Sequence, residues 1–489
     1  MTLDLLLVNV GGTKKKVYQD LSKDYSAIEP PFFAALTAGF IRDKGFNVGI
    51  LDANAENLDV YESAQYIAKR DSRLANIVVY GQHPSASTAL MPGVGALCIE
   101  IKKINPTQKI ILTGLHPSAL PQRTLKETKC DYVGEGEGFH TLVGLLNEDK
   151  HSEVPGLWYE NDSNLISHNK RAQLIKNLDS ELPNVAWDLL PLNEGKYKAH
   201  NWHCFHDLNS RLSYASISTS IGCPFACNFC CINAPFEKRS YRMWSPEWAL
   251  RQIDVLAKKF GIKNLKVIDE LFVFDPKHFL PIAEGLIERD YGLNIWAYAR
   301  VDTIKEKYLP ILKKAGFNWL GIGIESGNEM VRREVAKGKF AEENIRSIVK
   351  KVKNAGISIG ANYIFGLPND TAGSMQQTLN LATDLNCEYA NFYSAMAYPG
   401  SNLYNEALAK GTKLPDSWIG YSQHSYETQP LPTNTLSAAE VLRFRDNAFN
   451  TYYTSPKYLD MLEQKFGFAA KTHVQEMTKI KLKRKLLGD

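Results

Sequence analysis

Three cysteines on one short loop constrain this chain more than any other feature: Cys223, Cys227 and Cys230, in the run Gly222-Cys223-Pro224-Phe225-Ala226-Cys227-Asn228-Phe229-Cys230. The spacing Cys-x-x-x-Cys-x-x-Cys offers three thiolates where a four-iron cluster has four irons to ligate. One iron is then open to bind something else. Zinc is the rival, but a structural zinc site closes four positions, usually by joining Cys-x-x-Cys to a second Cys or His pair. No such pair stands nearby in the sequence. The open-iron cluster is the favoured reading, and it predicts redox chemistry on a bound ligand.

Around that loop there is room for two or three domains, since the chain has 489 residues. A hydrophobic content of 44% and a charged content of 22% are ordinary for a globular protein. The formal charge of +4 is mild over this length, so no nucleic-acid partner is expected. Eight cysteines in so long a chain do not make a secreted disulfide framework. The start, Met1 to Gly12, reads as a buried strand rather than a signal peptide. No apolar run approaches the ~20 residues that span a bilayer. A cytoplasmic protein without a transmembrane segment is expected.

Strand and helix patterns alternate through residues 1–150. Apolar runs of strand length fall at Leu5 to Val10, Val48 to Leu51, Ile77 to Tyr80, Ile110 to Leu112 and Tyr132-Val133. Helical patterns lie between them, at about Pro31 to Lys44 and Val94 to Lys103. This alternation predicts a doubly wound parallel sheet, whose ligands sit beyond the carboxyl ends of the strands. Neither a Gly-x-Gly-x-x-Gly fingerprint nor a Gly-rich loop ending in Lys-Ser/Thr follows the first strand. Residues 151–210 read as a connector with one hairpin around Asn161-Asp162-Ser163, and Trp187, Tyr197 and Trp202 are expected to pack one domain on the other. In 211–410 six strand-like runs recur, from Tyr214 to Ser218 through Ala390 to Ala395, which suggests a partial parallel barrel. Barrel chemistry gathers at the carboxyl ends of strands. Asp269-Glu270, Arg300, Glu325-Ser326-Gly327 and Gly366-Leu367-Pro368 stand there. Residues 411–489 form an extension with a helix through Ala438 to Tyr452 and a basic end, read as a frayed, solvated helix.

The cysteine loop resembles the signature of the radical-SAM superfamily, and the resemblance extends over nearly the whole chain to about residue 410. It implies that Cys223, Cys227 and Cys230 ligate a [4Fe-4S] cluster whose open iron binds S-adenosyl-L-methionine (SAM), with Phe229 beside the adenine. Ile221 stands where relatives often carry Arg. Glu325-Ser326-Gly327 is similar to the family's fourth-strand motif, holding the ribose and methionine ends of SAM, and an acidic group suits a ribose diol. Arg300 is expected to pair with the methionine carboxylate, and Asp269 is placed in the same set. Tyr363-Ile364-Phe365-Gly366-Leu367-Pro368 resembles the fifth-strand element, so Ile364 and Gly366 are expected to flank adenine. Asn369-Asp370 replaces the Glu common after that Pro.

The first domain resembles the flavodoxin-like cobalamin-binding domain found ahead of the radical-SAM core in one large subgroup. Gly11, Gly12, Ser85, Ser87, Gly114, Gly134, Glu135 and Gly136 are the residues that this likeness assigns to cobalamin. The motif Asp-x-His-x-x-Gly of other cobalamin proteins is missing, because Asp52-Ala53-Asn54-Ala55 holds no imidazole. His83 and His116 lie in suitable loops and are read as hydrogen-bonding surface residues. The fold implied is α/β: a doubly wound parallel sheet, then a partial (β/α)6 barrel, then a mainly helical extension.

The activity implied is cobalamin-dependent radical-SAM methylation of an unactivated carbon in a small molecule, with an electron donor such as flavodoxin or ferredoxin. Related proteins also cyclise, rearrange or oxidise their substrates. An RNA methylthiotransferase would be expected to carry further cysteines in the first domain, where only Cys98 and Cys130 precede residue 200. A non-catalytic corrinoid carrier or sensor would not need the open-iron loop. Trp296, Tyr298, Tyr393 and Met396 are read as packing or as pocket lining.

Overall fold

The run Leu5-Leu6-Leu7-Val8 is apolar at every position because both faces of its strand are covered. Leu5 and Leu7 join one buried cluster with Phe40 and Ile41, while Leu6 and Val8 join another with Val94 and Leu97. Central parallel strands carry this pattern. The structure is a computed structural model and describes residues 3–80, 87–337 and 341–489.

The first sheet contains β1 (Leu3–Asn9), β2 (Val48–Asp52), β3 (Ser72–Val79), β4 (Lys109–Gly114), β5 (Tyr132–Gly134), β6 (Leu157–Glu160) and β7 (Ile166–His168), in the order β2-β1-β3-β4-β5-β6-β7. Strands β1 to β5 run parallel, and β6 and β7 add an antiparallel hairpin. The hairpin expected in the connector is therefore a part of the first sheet. Strand order reverses at β1, between β2 and β3, which makes a crevice at the carboxyl ends of β1 and β3.

The second sheet contains β8 (Tyr214–Ile217), β11 (Asn264–Val267), β12 (Asn294–Arg300), β13 (Phe317–Glu325), β14 (Ser358–Phe365) and β15 (Tyr389–Ser394). All six are parallel and lie in sequential order, from β8 to β15. This is the expected partial barrel. Between β8 and β11 an antiparallel ribbon, β9 (Ser220–Cys223) with β10 (Ser240–Met243), carries the first cysteine of the loop. After the ribbon an α-helix runs over Pro246–Asp254, capped by the Ser245 hydroxyl, and ends in a π turn over Val255–Lys259.

Connector aromatics join the halves, as expected. Trp187 packs on Phe32 and donates to Gln252, Tyr197 donates to Asp52, and Trp202 stacks on Tyr389. A single hydrophobic cluster runs through both sheets. In the extension, the hydroxyls of Tyr452, Tyr453 and Tyr458 donate to the carbonyls of Cys387, Ala390 and Glu388 beside the start of β15. The basic end is not frayed. Arg484 is buried because Asp446, two carbonyls and the Thr428 hydroxyl take up its guanidinium. No helix of the described residues is long and apolar enough to cross a membrane.

Candidate active site

Both sheets open their carboxyl ends onto one cavity of about 640 Å³. Asn9, Val10, Thr13 and Thr113 line it from the first sheet; Cys223, Cys227, Cys230 and Arg300 line it from the second.

The cysteine loop is held in place from three sides. Gly222 has φ +86°, and a Cβ there would strike the Ser240 carbonyl oxygen across the ribbon, so glycine is required. Asp269, 1% exposed, accepts hydrogen bonds from the Thr219 amide (2.6 Å) and from the hydroxyls of Thr219 (2.7 Å) and Ser220 (2.7 Å). Its carboxylate lines the cavity, but its lone pairs are committed to the turn leading into β9. The loop's far side is pinned by Asn228, whose amide donates to the Val335 carbonyl at 3.1 Å and whose carbonyl accepts from Leu403 at 3.0 Å. The Cys230 amide closes a turn on the Cys227 carbonyl at 3.0 Å.

None of the eight cysteines is in a disulfide, and the three loop thiols are half-buried. Among the described residues no three His, Cys, Asp or Glu side chains converge on a single-ion site. All three thiols line the cavity, and three thiolates on one loop match the ligand set of a four-iron cluster with one iron left over. Burial pushes the Cys223 thiol up to about 11 and raises that of Cys230 further from the ordinary range. Ligation by iron would remove those protons. Cys231 is buried and lines the same cavity.

Arg300 differs from its expected role. Its fork is filled by the Asp302 carboxylate at 2.9 and 3.0 Å, it also donates to the Lys337 carbonyl, and its remaining nitrogen lies 3.6 Å from the Cys227 sulfur. The guanidinium also sits 3.8 Å over the Phe225 ring. It braces the loop and presents no free fork to a carboxylate. Glu325 sits at φ +66°, where the β13–β14 register shifts, and pairs with Lys337 at 2.7 Å. Both side chains are buried. Burial works to lower the Lys337 pKa, and the Glu325 carboxylate overrides it, holding it above the usual lysine value. Lys337 was missed in the sequence because it lies beyond the Glu-Ser-Gly motif. Charge pairing, not spacing, brings it in.

Two expected residues turn away from the cavity. The Ser326 hydroxyl, fully buried, meets Thr378 at 3.2 Å and accepts from the Asn328 amide. Gly366, at φ +81°, makes room for Val441 of the extension, and its amide donates to Asp370 at 3.0 Å. Asp370 also accepts from Leu367 and Ser374, so the residue standing in place of the family's Glu ties the turn. Phe229 and Ile364 do come together, in one apolar cluster with Val331, Val335 and Leu367. Glu270, facing the cavity, has its carboxyl pushed up to about 7 by burial and by the neighbouring Asp269.

In the first domain the marked residues shape loops rather than line the cavity. Gly11 packs against the Ala53 and Leu58 carbonyls, and Gly12 takes φ +73°. Gly114, at φ +122°, lies against the Val79 carbonyl. Gly134 continues β5, Glu135 bonds to Arg171 and Trp158, and Gly136 exchanges hydrogen bonds with the Ser118 hydroxyl. Ser87 is buried before the 3₁₀ turn at Thr88–Leu90. Ser85 and His83 lie outside the described residues. His116 is not a surface residue: it is buried, bonded to Thr88 at 3.1 Å, packed on Trp418, and pushed down to about 3 by burial. It does not line the cavity. Neighbours of these glycines, Asn9, Val10, Thr13, Thr113, Leu115 and Glu137, do face it, together with Lys14, Asn54 and Tyr80. The loops thus turn Asn9, Thr13, Thr113 and Glu137 toward the cavity, beside apolar Val10 and Leu115.

Comparison with known proteins agrees with this division. The radical-SAM superfamily model matches residues 217–382, and the B12-binding-domain model matches residues 24–146. The chain is 28% identical over 458 residues to an uncharacterized methyltransferase of Pyrococcus horikoshii, covering 92% of this chain and 94% of that one. It is 25% identical over 444 residues to an anaerobic magnesium-protoporphyrin IX monomethyl ester cyclase of Rubrivivax gelatinosus, covering 88% and 75%. The fold is shared with the methyltransferase TsrM of Kitasatospora setae, solved with tryptophan and a SAM analogue, at TM-score 0.69 and 15% identity, covering 97% of this chain and 98% of that one. Thiols, cavity and the two matches lead to one conclusion: the chain carries a B12-binding domain at residues 24–146 ahead of a radical-SAM domain at residues 217–382, the domains whose cofactors are cobalamin and a [4Fe-4S] cluster with SAM.

Proposed function

We propose that the protein is a cobalamin-dependent radical-SAM methyltransferase acting on an unactivated carbon of a small molecule. The observation that carries this reading is the single cavity shared by the two sheets, in which groups held by different domains would meet one substrate. Cys223, Cys227 and Cys230 would hold three irons and leave the fourth to SAM. When bound, the cofactors supply hydrogen abstraction through SAM and a methyl group through cobalamin.

The chain's own residues then position and shield. Asp269 fixes the turn before Cys223, and Arg300 donates toward the Cys227 sulfur. Phe229 and Ile364 present an apolar slot to adenine. Glu325, anchored by Lys337, keeps an oxygen for ribose hydroxyls. On the other side, the loops shaped by Gly11, Gly12, Gly114, Gly134 and Gly136, with Ser87 and Glu135, would carry the corrin and its tail. Aromatic walls exclude water, which would quench a radical. A low-potential donor such as flavodoxin or ferredoxin would deliver the electron in the cytoplasm.

Similarity to the P. horikoshii methyltransferase supports methyl transfer. Similarity to the cyclase supports a second outcome from the same start, ring closure or oxidation. Anaerobic reconstitution with methyl-labelled SAM separates them. Release of 5′-deoxyadenosine with label in the product is the expected result. Release without label transfer moves the assignment to the second outcome, and no release on reduction overturns both.

A further inference from the structure

Two carboxamides meet inside the barrel. Asn362 on β14 and Asn391 on β15 are direct partners in the ladder, and both face the cavity. Paired positions in a parallel sheet share a face. Among the described residues Asn362 has no side-chain hydrogen-bond partner within the chain, and Asn391 gives one amide hydrogen to Tyr393 and keeps its carbonyl oxygen unpaired. Each amide can donate and accept, so together they offer a mixed edge to whatever enters.

The surroundings narrow what that is. The ladder carries Arg300, Gly323, Asn362 and Asn391 in one row, and Tyr298, Gly321, Gly360 and Tyr389 in the row below. A Cβ on Gly321 would come within 2.6 Å of the Tyr298 ring, and one on Gly360 within 2.8 Å of Trp296. These glycines let aromatic rings lie flat across the barrel beneath the amides. Ile364, two residues beyond Asn362 on the same face, is about 7 Å further toward the mouth. A molecule held by the amides is therefore within reach of the slot formed by Phe229 and Ile364. Charge gives the last constraint. Lys266 is matched by Glu29 at 2.5 Å, Arg300 by Asp302 and Arg445 by Asp446, so the barrel side turns no unmatched cation toward the amides; Lys14, which makes no ion pair among the described residues, lines the cavity from the first domain.

We propose that Asn362 and Asn391 select the substrate, and that it is a neutral, planar molecule with an amide-type edge, one donor beside one acceptor, laid over the Tyr298 and Tyr389 rings. This rests on the cavity being the substrate chamber of the radical-SAM reading. An anionic head would find no partner in this row, and a purely apolar molecule would leave both amides unsatisfied.

Nicotinamide and nicotinate, alike in shape but neutral and anionic, provide the test by equilibrium dialysis against the reconstituted holoprotein with SAM. Nicotinamide is expected to bind about tenfold or more tightly than nicotinate, the scale of one unsatisfied hydrogen-bonding group. Asn362→Leu and Asn391→Leu are each expected to weaken nicotinamide by about fivefold or more, with cluster absorbance and thermal midpoint reporting an intact fold. Equal or tighter nicotinate binding, no nicotinamide binding, or full affinity in folded Leu variants overturns the inference. Should the Leu variants not fold, Asn362→Asp keeps the shape and repels an anion, so the nicotinamide preference should widen; an unchanged or reversed preference overturns it. Failure of the proposed function reads out separately, as absence of 5′-deoxyadenosine from the reduced wild type whatever the amide preference.

Discussion

At the mouth of the second sheet, the cysteines, Phe229, Asp269, Arg300, Glu325 and Ile364 stand on the cavity wall; at the first sheet, Gly11, Gly12, Gly114, Gly134 and Gly136 stand just behind it. The two halves present ligands differently. Thiols and carboxylates act through their own atoms, so a motif built from them points at the site. Glycines act through backbone shape, so a motif built from them points at the loop, and the neighbours Thr13, Thr113 and Leu115 make the wall. The same distinction separates Glu325, which faces the cavity, from Ser326 and Gly366, which serve the fold behind it.

The largest effect should come from the side-chain half. Cys223→Ala, Cys227→Ala or Cys230→Ala should each abolish 5′-deoxyadenosine release and the visible absorbance of the cluster, while corrin binding by the first domain persists. A variant that loses both together would erase the distinction between the halves.

Next comes Lys337→Met. It leaves Glu325 buried without a partner and should cost about 3–5 kcal/mol in denaturant unfolding. Adding Glu325→Gln should recover part of that loss; equal stability in the single and double variants would show that the pair is not coupled.

Gly114→Ala probes the backbone half. With φ at +122° and the Val79 carbonyl in the way of a Cβ, it should destabilise by about 2–4 kcal/mol and weaken corrin uptake, measured by visible spectroscopy. Cluster assembly should be spared.

The smallest effects are in pH dependence, where the halves should behave alike. Asp52 in the first and Asp370 in the second are each pushed up to about 6 by burial, against hydrogen bonds that lower them. A carboxyl raised in the folded state binds its proton more tightly there than when unfolded. Its contribution is present below about pH 4 and is lost as pH rises through about 6, at most about 3 kcal/mol each. Asp52→Asn and Asp370→Asn should each flatten the stability profile in that window. A steeper profile in either variant would mean that the sign is wrong.

Much of the architecture was legible in the chain. Alternating apolar runs located the parallel strands, and boundaries moved by a few residues where polar ends such as Ser72 and Arg73 extend β3. The hairpin at β6 and β7 was visible as a turn, but its membership of the first sheet was not, since pairing with β5 joins separated segments. The basic end misled because composition records the charge of Arg484 and not Asp446, which waits 38 residues away to receive it.

Local chemistry is written in residue order, and so the three-cysteine loop, the strand–helix alternation and the two parallel sheets are legible in the sequence. Which side chains share a space depends on long-range closure: the one cavity between two sheets, the Glu325–Lys337 pair, the brace of Arg300 on the cysteine loop and the facing amides of Asn362 and Asn391. Those contacts join residues far apart in the chain, or fix the direction in which neighbours point. Packing and charge pairing, which no local pattern encodes, decided them.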